Sequence, residues 1–553
     1  MAPITKTCRI SGKNFIITDE DQAFYVKMGV PMPTLCPEER TRRKLIWRNE
    51  RKLYHRKCDL CQKTIISIYS PDKPYKVYCP SCYHSDKWDA LKYGRDFDFN
   101  RPFFEQFNEL MLAVPALSLN LQKENQNCDY TNLTTQNKDS YLIFAALKSE
   151  DSYYCTYLHR CKNTVDSFFV FDCELCYECI DCYNCYQLFY SQNCQNCNSS
   201  YFLNDCKSCE QCFGCSGLVN KKYHIFNKPC VPEEYKKRVA EYMSSKEAFL
   251  EAQKGFNSIK LASPHKYYAG LQNENFSGDH VSFSKNAEFC FDCTNLEDCK
   301  YCTWLHDSRD CYDCYAWGQK GEMGYENHLC GNNFYNVMFC DACWNEVSET
   351  YYCHSCFNNV KNLFGCTGLE HKEFCIFNKQ YSREEYFLLK EKIIEHMKKT
   401  GEWGEFFPAN VSPFCYNETV AEEYFPLTEG SAREYGFRWF TDNSANLYQG
   451  QKITLPWSSK DASPEIVSQI LSCETCGKNY KFIKQEFDFY KRFDLPLPCQ
   501  CFDCRYQKRR LLRNPRALWN RACAECSKNI LTSYSPDRTE KVLCEECYLK
   551  TVY

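Results

Sequence analysis

Twelve cysteines near the two ends of the chain fall in pairs whose spacing suits a metal ion. Toward the C-terminus, Cys473-Glu-Thr-Cys476 is followed by Cys501-Phe-Asp-Cys504, and Cys523-Ala-Glu-Cys526 by Cys544-Glu-Glu-Cys547. Near the N-terminus, Cys58-Asp-Leu-Cys61 is followed by Cys79-Pro-Ser-Cys82. A Cys-x-x-Cys turn offers two thiolates to one ion, and two such turns roughly 20–25 residues apart complete a tetrahedral site. The spacing predicts three zinc ions per chain, one on each quartet. A site with four protein ligands is closed to water and substrate, which makes these zincs structural rather than catalytic. Binding of this kind supplies roughly 10–16 kcal/mol, enough to fold a module too small to hold itself.

The two ends are copies of one module. Residues 8–83 and 473–548 align without gaps at an offset of 465, with 28 identities in 76 positions. The N-terminal copy departs at its first site, where Ser11 stands in place of Cys476 and Glu39 in place of Cys504. Cys8 and Cys36 remain, and two thiolates with a serine and a carboxylate make a poor zinc site. That site is expected to be empty and held by packing of Phe15, Phe24 and Tyr25, with Glu39 as a third ligand the lesser alternative. Cys499 matches Thr34 and is read as a spare thiol.

The stretch from Cys473 through Gly477 and Phe482, with Phe489-Tyr490, Pro496-Leu-Pro498 and Cys501-Phe-Asp-Cys504-Arg505, resembles the "probable zinc-ribbon" domain of bacterial proteins. The whole chain is similar to a family of uncharacterised cysteine-rich bacterial proteins with a ribbon pair at each end. The resemblance implies zinc and carries no activity.

Behind these sites stand 553 residues with 44 cysteines, a formal charge of -3 and 16% aromatic residues. The charge argues against a globally basic nucleic-acid coat, so any polyanion binding must come from local patches. The opening Met1-Ala2-Pro3-Ile4-Thr5-Lys6 has no apolar leader, and no apolar run has the length of a bilayer span. The expected location is the reducing cytoplasm, where cysteines serve as metal ligands or small core residues.

The remaining cysteines must be positioned by the middle of the chain. Residues 128–375 hold 28 of them, and many recur at 21 residues: Cys155, Cys176 and Cys197; Cys173, Cys194 and Cys215; Cys290 and Cys311. A period near 20 predicts a solenoid whose stacked coils align cysteines in ladders. Short β-prone runs such as Ser167-Phe-Phe-Val-Phe171 make a parallel β-helix the expected form. An iron–sulfur reading of Cys173, Cys176, Cys179, Cys182 and Cys185 lacks the Cys-x3-Cys-Pro ending of ferredoxin runs. His159, His306 and His354 are read as packed or exposed side chains rather than ligands.

The solenoid is doubled, because Phe213-Gly-Cys-Ser-Gly-Leu218 and Ile225-Phe-Asn-Lys228 return as Phe364-Gly-Cys-Thr-Gly-Leu369 and Ile376-Phe-Asn-Lys379. A helix follows each copy, the second opened by a Ser382–Glu385 capping box. The expected fold is mainly β: two cysteine-ladder blocks, each followed by a helix, flanked by zinc-ribbon pairs. Its boundaries are a ribbon pair at 1–92, a connector at 93–127, a block at 128–231 and a helix at 232–262. The second block at 263–381, its helix at 382–400, an aromatic connector at 401–470 with a buried Cys415, and a ribbon pair at 471–553 follow.

Function is sought between the knuckles. Residues 505–521 carry seven basic side chains and no acid, and residues 40–57 carry nine against one. Tyr506, Trp519, Trp47 and Tyr54 interleave. Candidate nucleic-acid contacts are Arg42, Arg43, Lys44, Arg48, Arg505, Lys508, Arg509, Arg510 and Arg513; the plainer reading is a solvated basic helix bridging two ribbons. No phosphate loop, Gly-x-Ser-x-Gly or His-Glu-x-x-His motif is present, so the chain is read as no enzyme. The leading expectation is a zinc-binding scaffold that docks a protein or protein–RNA partner. Binding of RNA, the ribosome or DNA through the ribbons, and thiol redox or metal storage, are the alternatives. No membrane partner is expected.

Overall fold

From Asn127 to Gln211 every third residue has φ between 47° and 60°. Each triplet therefore turns a corner, at a conformation that asparagine and aspartate tolerate better than most residues. Four triplets bring the chain back beside itself. Phe144 pairs with Thr156, Thr156 with Phe168 and Phe168 with Ile180, all parallel, so the register advances by twelve residues at each step. This computed structural model describes residues 2–121, 125–328, 331–441, 450 and 452–552.

The twelve-residue register corrects the 21-residue period expected from the cysteines. Every cysteine from Cys155 to Cys215 follows a corner residue and points into the stack, so any multiple of three recurs. Twenty-one is seven triplets, and the chain closes after four. The aligned ladder is Cys161, Cys173, Cys185, Cys197 and Cys209, all buried.

This inward position is narrow and polar at its rim. The Cys155 thiol donates to the Tyr153 and Thr164 carbonyls at 3.2 and 3.4 Å. Ser167, one rung on, donates to Val165 O at 3.0 Å and accepts from the Cys179 amide at 3.2 Å. Cysteine and serine thus alternate as small side chains that satisfy backbone groups, with the thiol adding apolar volume.

The second stack, Glu274–Ser282 through Lys379–Gln380, follows the same rule with extra residues. Its register is twelve from Phe291 to Thr303, then thirteen through Glu322, Tyr335, Ser348 and Lys361. Paired positive-φ residues Asn345-Glu346 and Asn358-Asn359 absorb the additional residue.

Asn227 and Asn378 close the two stacks alike. Each side chain accepts from and donates to one backbone residue, Ser216 and Thr367 respectively, at 2.8–2.9 Å. Helices then pack on the ends. The expected single helix after the first stack is two, Pro232–Met243 and Lys246–Ala262, because Ser245 caps a new start through Ala248 N. Phe202, Phe213 and Ile225 pack with Tyr235 and Phe256 there. The Ser382–Glu385 capping box is present and opens Arg383–Thr400, ended by a left-handed Gly401.

The chain is mixed α/β, 26% helix and 32% strand, rather than mainly β. Part of the excess lies in the stretch expected to be a connector, where Phe103–Ala113 is a helix whose Phe103 lies against Phe364 at 5.6 Å. The aromatic connector is packed rather than loose: Trp403, Phe406 and Phe407 are buried, and Phe407 stacks on Phe107 at 5.0 Å. Cys415 is half-buried, short of the burial expected. Among the described residues no helix is long and apolar enough to cross a membrane.

Candidate metal centres

Each terminal site joins a hairpin knuckle to a helix start. The Cys58 amide donates to Lys63 O and the Gln62 amide to Cys58 O, with Gln62 at φ 61° reversing the chain. Gly12, Gly477 and Ser527 repeat this left-handed turn at the other three knuckles. The second pair sits at the first turn of a helix: Cys79 precedes Pro80–Tyr83, Cys501 precedes Phe502–Arg510, and Cys544 precedes Glu545–Val552. Unpaired amides at a helix start favour negative charge, which suits a thiolate.

In all three quartets the four sulfur atoms lie within 4.8 Å of one another: Cys58, Cys61, Cys79 and Cys82; Cys473, Cys476, Cys501 and Cys504; Cys523, Cys526, Cys544 and Cys547. Cys61–Cys79, Cys476–Cys501 and Cys526–Cys544 are separated by 3.9, 3.6 and 3.7 Å. Zn–S bonds of about 2.3 Å in a tetrahedron require sulfur edges of about 3.8 Å. The donor set and its size therefore fit zinc.

The electrostatics favour the charged form at one thiol of each quartet, while burial and the neighbouring sulfurs push Cys79, Cys82, Cys501, Cys504 and Cys547 up. Burial pushes Cys58 up, but amides of Cys61, Cys79 and Leu60 outweigh it and pull the thiol down to about 6. Cys473 and Cys523 are pulled to about 6 in the same way. Cys499 stays outside its quartet and donates to Leu497 O at 3.9 Å.

The degenerate N-terminal site keeps the shape without the charge. Ser11 Oγ is 3.8 Å from Cys36 Sγ, and Glu39 is buried and paired with Arg42 at 3.0 Å. Cys8, Leu35 and Cys36 pack against Phe15. Phe24 stacks on Tyr312 of the second stack at 3.7 Å, so this packing also docks the module.

The basic spans are not an exposed surface, which corrects the expectation of nucleic-acid contacts. Arg42, Arg43, Lys44, Arg48, Arg505 and Arg509 are buried, Arg510 and Arg513 are half-buried, and Lys508 alone of the nine is exposed. Arg505 and Arg509 reach the fully buried Asp166 at 2.5 and 2.9 Å. Their counterparts Arg40 and Lys44 reach the fully buried Asp313 at 2.7 and 3.5 Å. Arg43 meets Glu326 at 2.7 Å and Arg509 meets Glu178 at 3.2 Å. Arg513 spans Asp181 and Asp292, Arg48 pairs with Glu50, and Arg510 binds Gln507 and the Glu423 carbonyl.

The C-terminal module is thereby clamped chiefly to the first stack and the N-terminal module chiefly to the second, with Arg513 and Arg516 crossing to Asp292 and Glu50 crossing to Tyr157. The interleaved aromatics belong to the same joints: Tyr506 is buried with its hydroxyl on Glu423 at 2.8 Å, and Trp47 is buried 4.8 Å from Phe407. Sequence reasoning missed Asp166, Asp313, Glu178 and Glu326. Their signal was faint, since corner positions favour aspartate without any partner.

His354 donates through Nδ1 to the Asp341 carboxylate at 2.7 Å, and Asp341 also meets His328. His159 and His306 are half-buried and line a trough between the stacks. No family model matches this chain, and no curated protein matches it.

Proposed function

We propose that the chain is a non-enzymatic scaffold in which three structural zinc ions fold terminal ribbons that clamp two β-helical solenoids side by side. The observation that carries this reading is the use of the basic spans. The C-terminal span follows directly from Cys501 and Cys504 and the N-terminal span from the degenerate site at Cys36, and both end in buried carboxylates of the stacks. The closed four-sulfur geometry supports structural zinc, and the carbonyl-bonded interior thiols support a packed body rather than a redox or storage store. The resemblance to zinc-ribbon domains agrees with the same assignment. A rigid body of this kind suits docking of a protein partner in a reducing cytoplasm.

Metal analysis with native mass measurement tests the reading. Three zinc ions per chain are expected, and chelation should release the modules, read as proteolytic cleavage near residues 1–92 and 471–552 while the middle resists. Iron, or many more ions than three, overturns it. So does a chain whose modules stay docked and protected after zinc has gone.

A further inference from the structure

The two stacks run in opposite senses beside each other: Asp181 meets His280 at 3.9 Å, Tyr157 meets Trp304 edge-on at 4.5 Å, and Leu133 shares a small cavity with His354. Between them lies a trough of about 1180 Å³. That exceeds the roughly 300–1,000 Å³ of most ligand sites, and its lining runs over successive rungs of the first stack at Thr135, Leu147, His159, Phe171 and Tyr183, about 4.8 Å apart.

Its lining has a definite chemistry. On one wall Phe171 and Tyr183 stack in parallel with centroids 5.2 Å apart. On the other, Trp344 and Phe357 stand 5.5 Å apart beside the amides of Asn332, Asn345 and Asn358. The charges are internally matched: Arg160 meets Asp172 at 2.7 Å and His84 meets Glu370 at 3.2 Å. Asp307 accepts from Asn295 at 2.8 Å and Gln319 at 3.3 Å. Burial holds His159 and His306 neutral; His159 accepts from Arg160 at 3.0 Å and keeps one N–H to donate, and His306 carries one donor and one acceptor nitrogen.

We propose that this trough binds a linear, uncharged oligosaccharide. Aromatic rings match the apolar faces of sugar rings, and planar amides and carboxylates match neighbouring hydroxyls. The rung spacing is close to the length of one sugar in an extended chain. Polyanions are disfavoured, because among the described residues the cations Arg48, Lys148 and Arg160 of the lining stand with the carboxylates Asp172, Asp292, Asp307 and Glu370. A peptide adding itself as a strand has no edge to join, since Thr156–His159 and Phe168–Phe171 are each paired on both sides.

The test is calorimetry and tryptophan fluorescence on the zinc-loaded full chain with cellohexaose, maltohexaose and chitohexaose, and with a heparin hexasaccharide and oligouridylate as charged controls. At least one neutral hexasaccharide should bind with Kd below about 1 mM, and Trp344→Ala should weaken it at least about tenfold. Asp307→Ala, at an exposed position that leaves the core untouched, should weaken it about threefold or more. Melting temperatures report that both variants fold. No binding of any neutral hexasaccharide up to about 5 mM overturns the proposal. Preferential binding of the charged controls overturns it too, as does unchanged affinity in both folded variants.

Discussion

Cys58 with Cys61 and Cys173 with Cys176 share one spacing and meet different backbone surroundings. In the terminal knuckle, backbone amides point at sulfur, the Cys79 amide reaching Cys58 Sγ at 3.3 Å, and the thiol falls to about 6. Inside the stack sulfur also meets carbonyls: Cys173 accepts from the Cys185 amide at 3.3 Å but donates to Phe171 O at 3.3 Å and Cys182 O at 3.5 Å, and burial holds its proton on. The lesson is that backbone geometry, not the cysteine pair, decides between a ligand and a packed thiol.

The sharpest way to break this comparison is one substitution made in both regions. Cys523→Ser should cost the C-terminal module most of its zinc stabilisation, a large share of roughly 10–16 kcal/mol, and leave two zincs per chain. Cys185→Ser should cost less than about 1.5 kcal/mol in denaturant, because a hydroxyl keeps bonds like those of the thiol to Tyr183 O and Cys194 O. Equal costs at the two positions would abolish the distinction.

The joint between the regions comes next. Asp166→Ala removes the carboxylate that Arg505 and Arg509 share, leaving Glu486 to the first and Glu178 to the second, and should cost about 3 kcal/mol. Asp313→Ala should do the same to the N-terminal module through Arg40 and Lys44. Urea unfolding measures both, and a change below about 1 kcal/mol would mean that the modules are held by something else.

Acid has a smaller effect and acts on both regions. Burial lowers the folded-state values of His159, His265, His306 and His328, the first to about 4. The unfolded chain then binds more protons than the folded one below about pH 6.5, so stability falls as pH drops through that value. The share from His159, which faces Arg160, Lys148, Asp172 and His306, stops growing at about 4. Melting of wild type and His159→Asn between pH 7.5 and 5 should show the shallower slope in the variant. Zinc release followed over the same range separates protonation of the terminal thiolates.

The metal quartets were legible from spacing because a tetrahedral ion demands four donors and a knuckle delivers two at a fixed reach. The doubling of the stacks and the Ser382 cap were legible for the same local reason. The length of a turn was not. Cysteines at every third position are compatible with closure after four triplets or seven, and only the parallel pairing of Phe144 with Thr156 decides.

What the sequence determined by itself is therefore the local chemistry: which thiols can share an ion and where a helix begins. What only the tertiary structure decided is where the charges of Arg40 to Lys57 and Arg505 to Arg521 end. A run of basic residues looks the same in one dimension whether it meets water or buried aspartates. Asp166 lies more than three hundred residues from Arg505, and their pairing exists only because the folded stack carries that carboxylate to the helix that needs it.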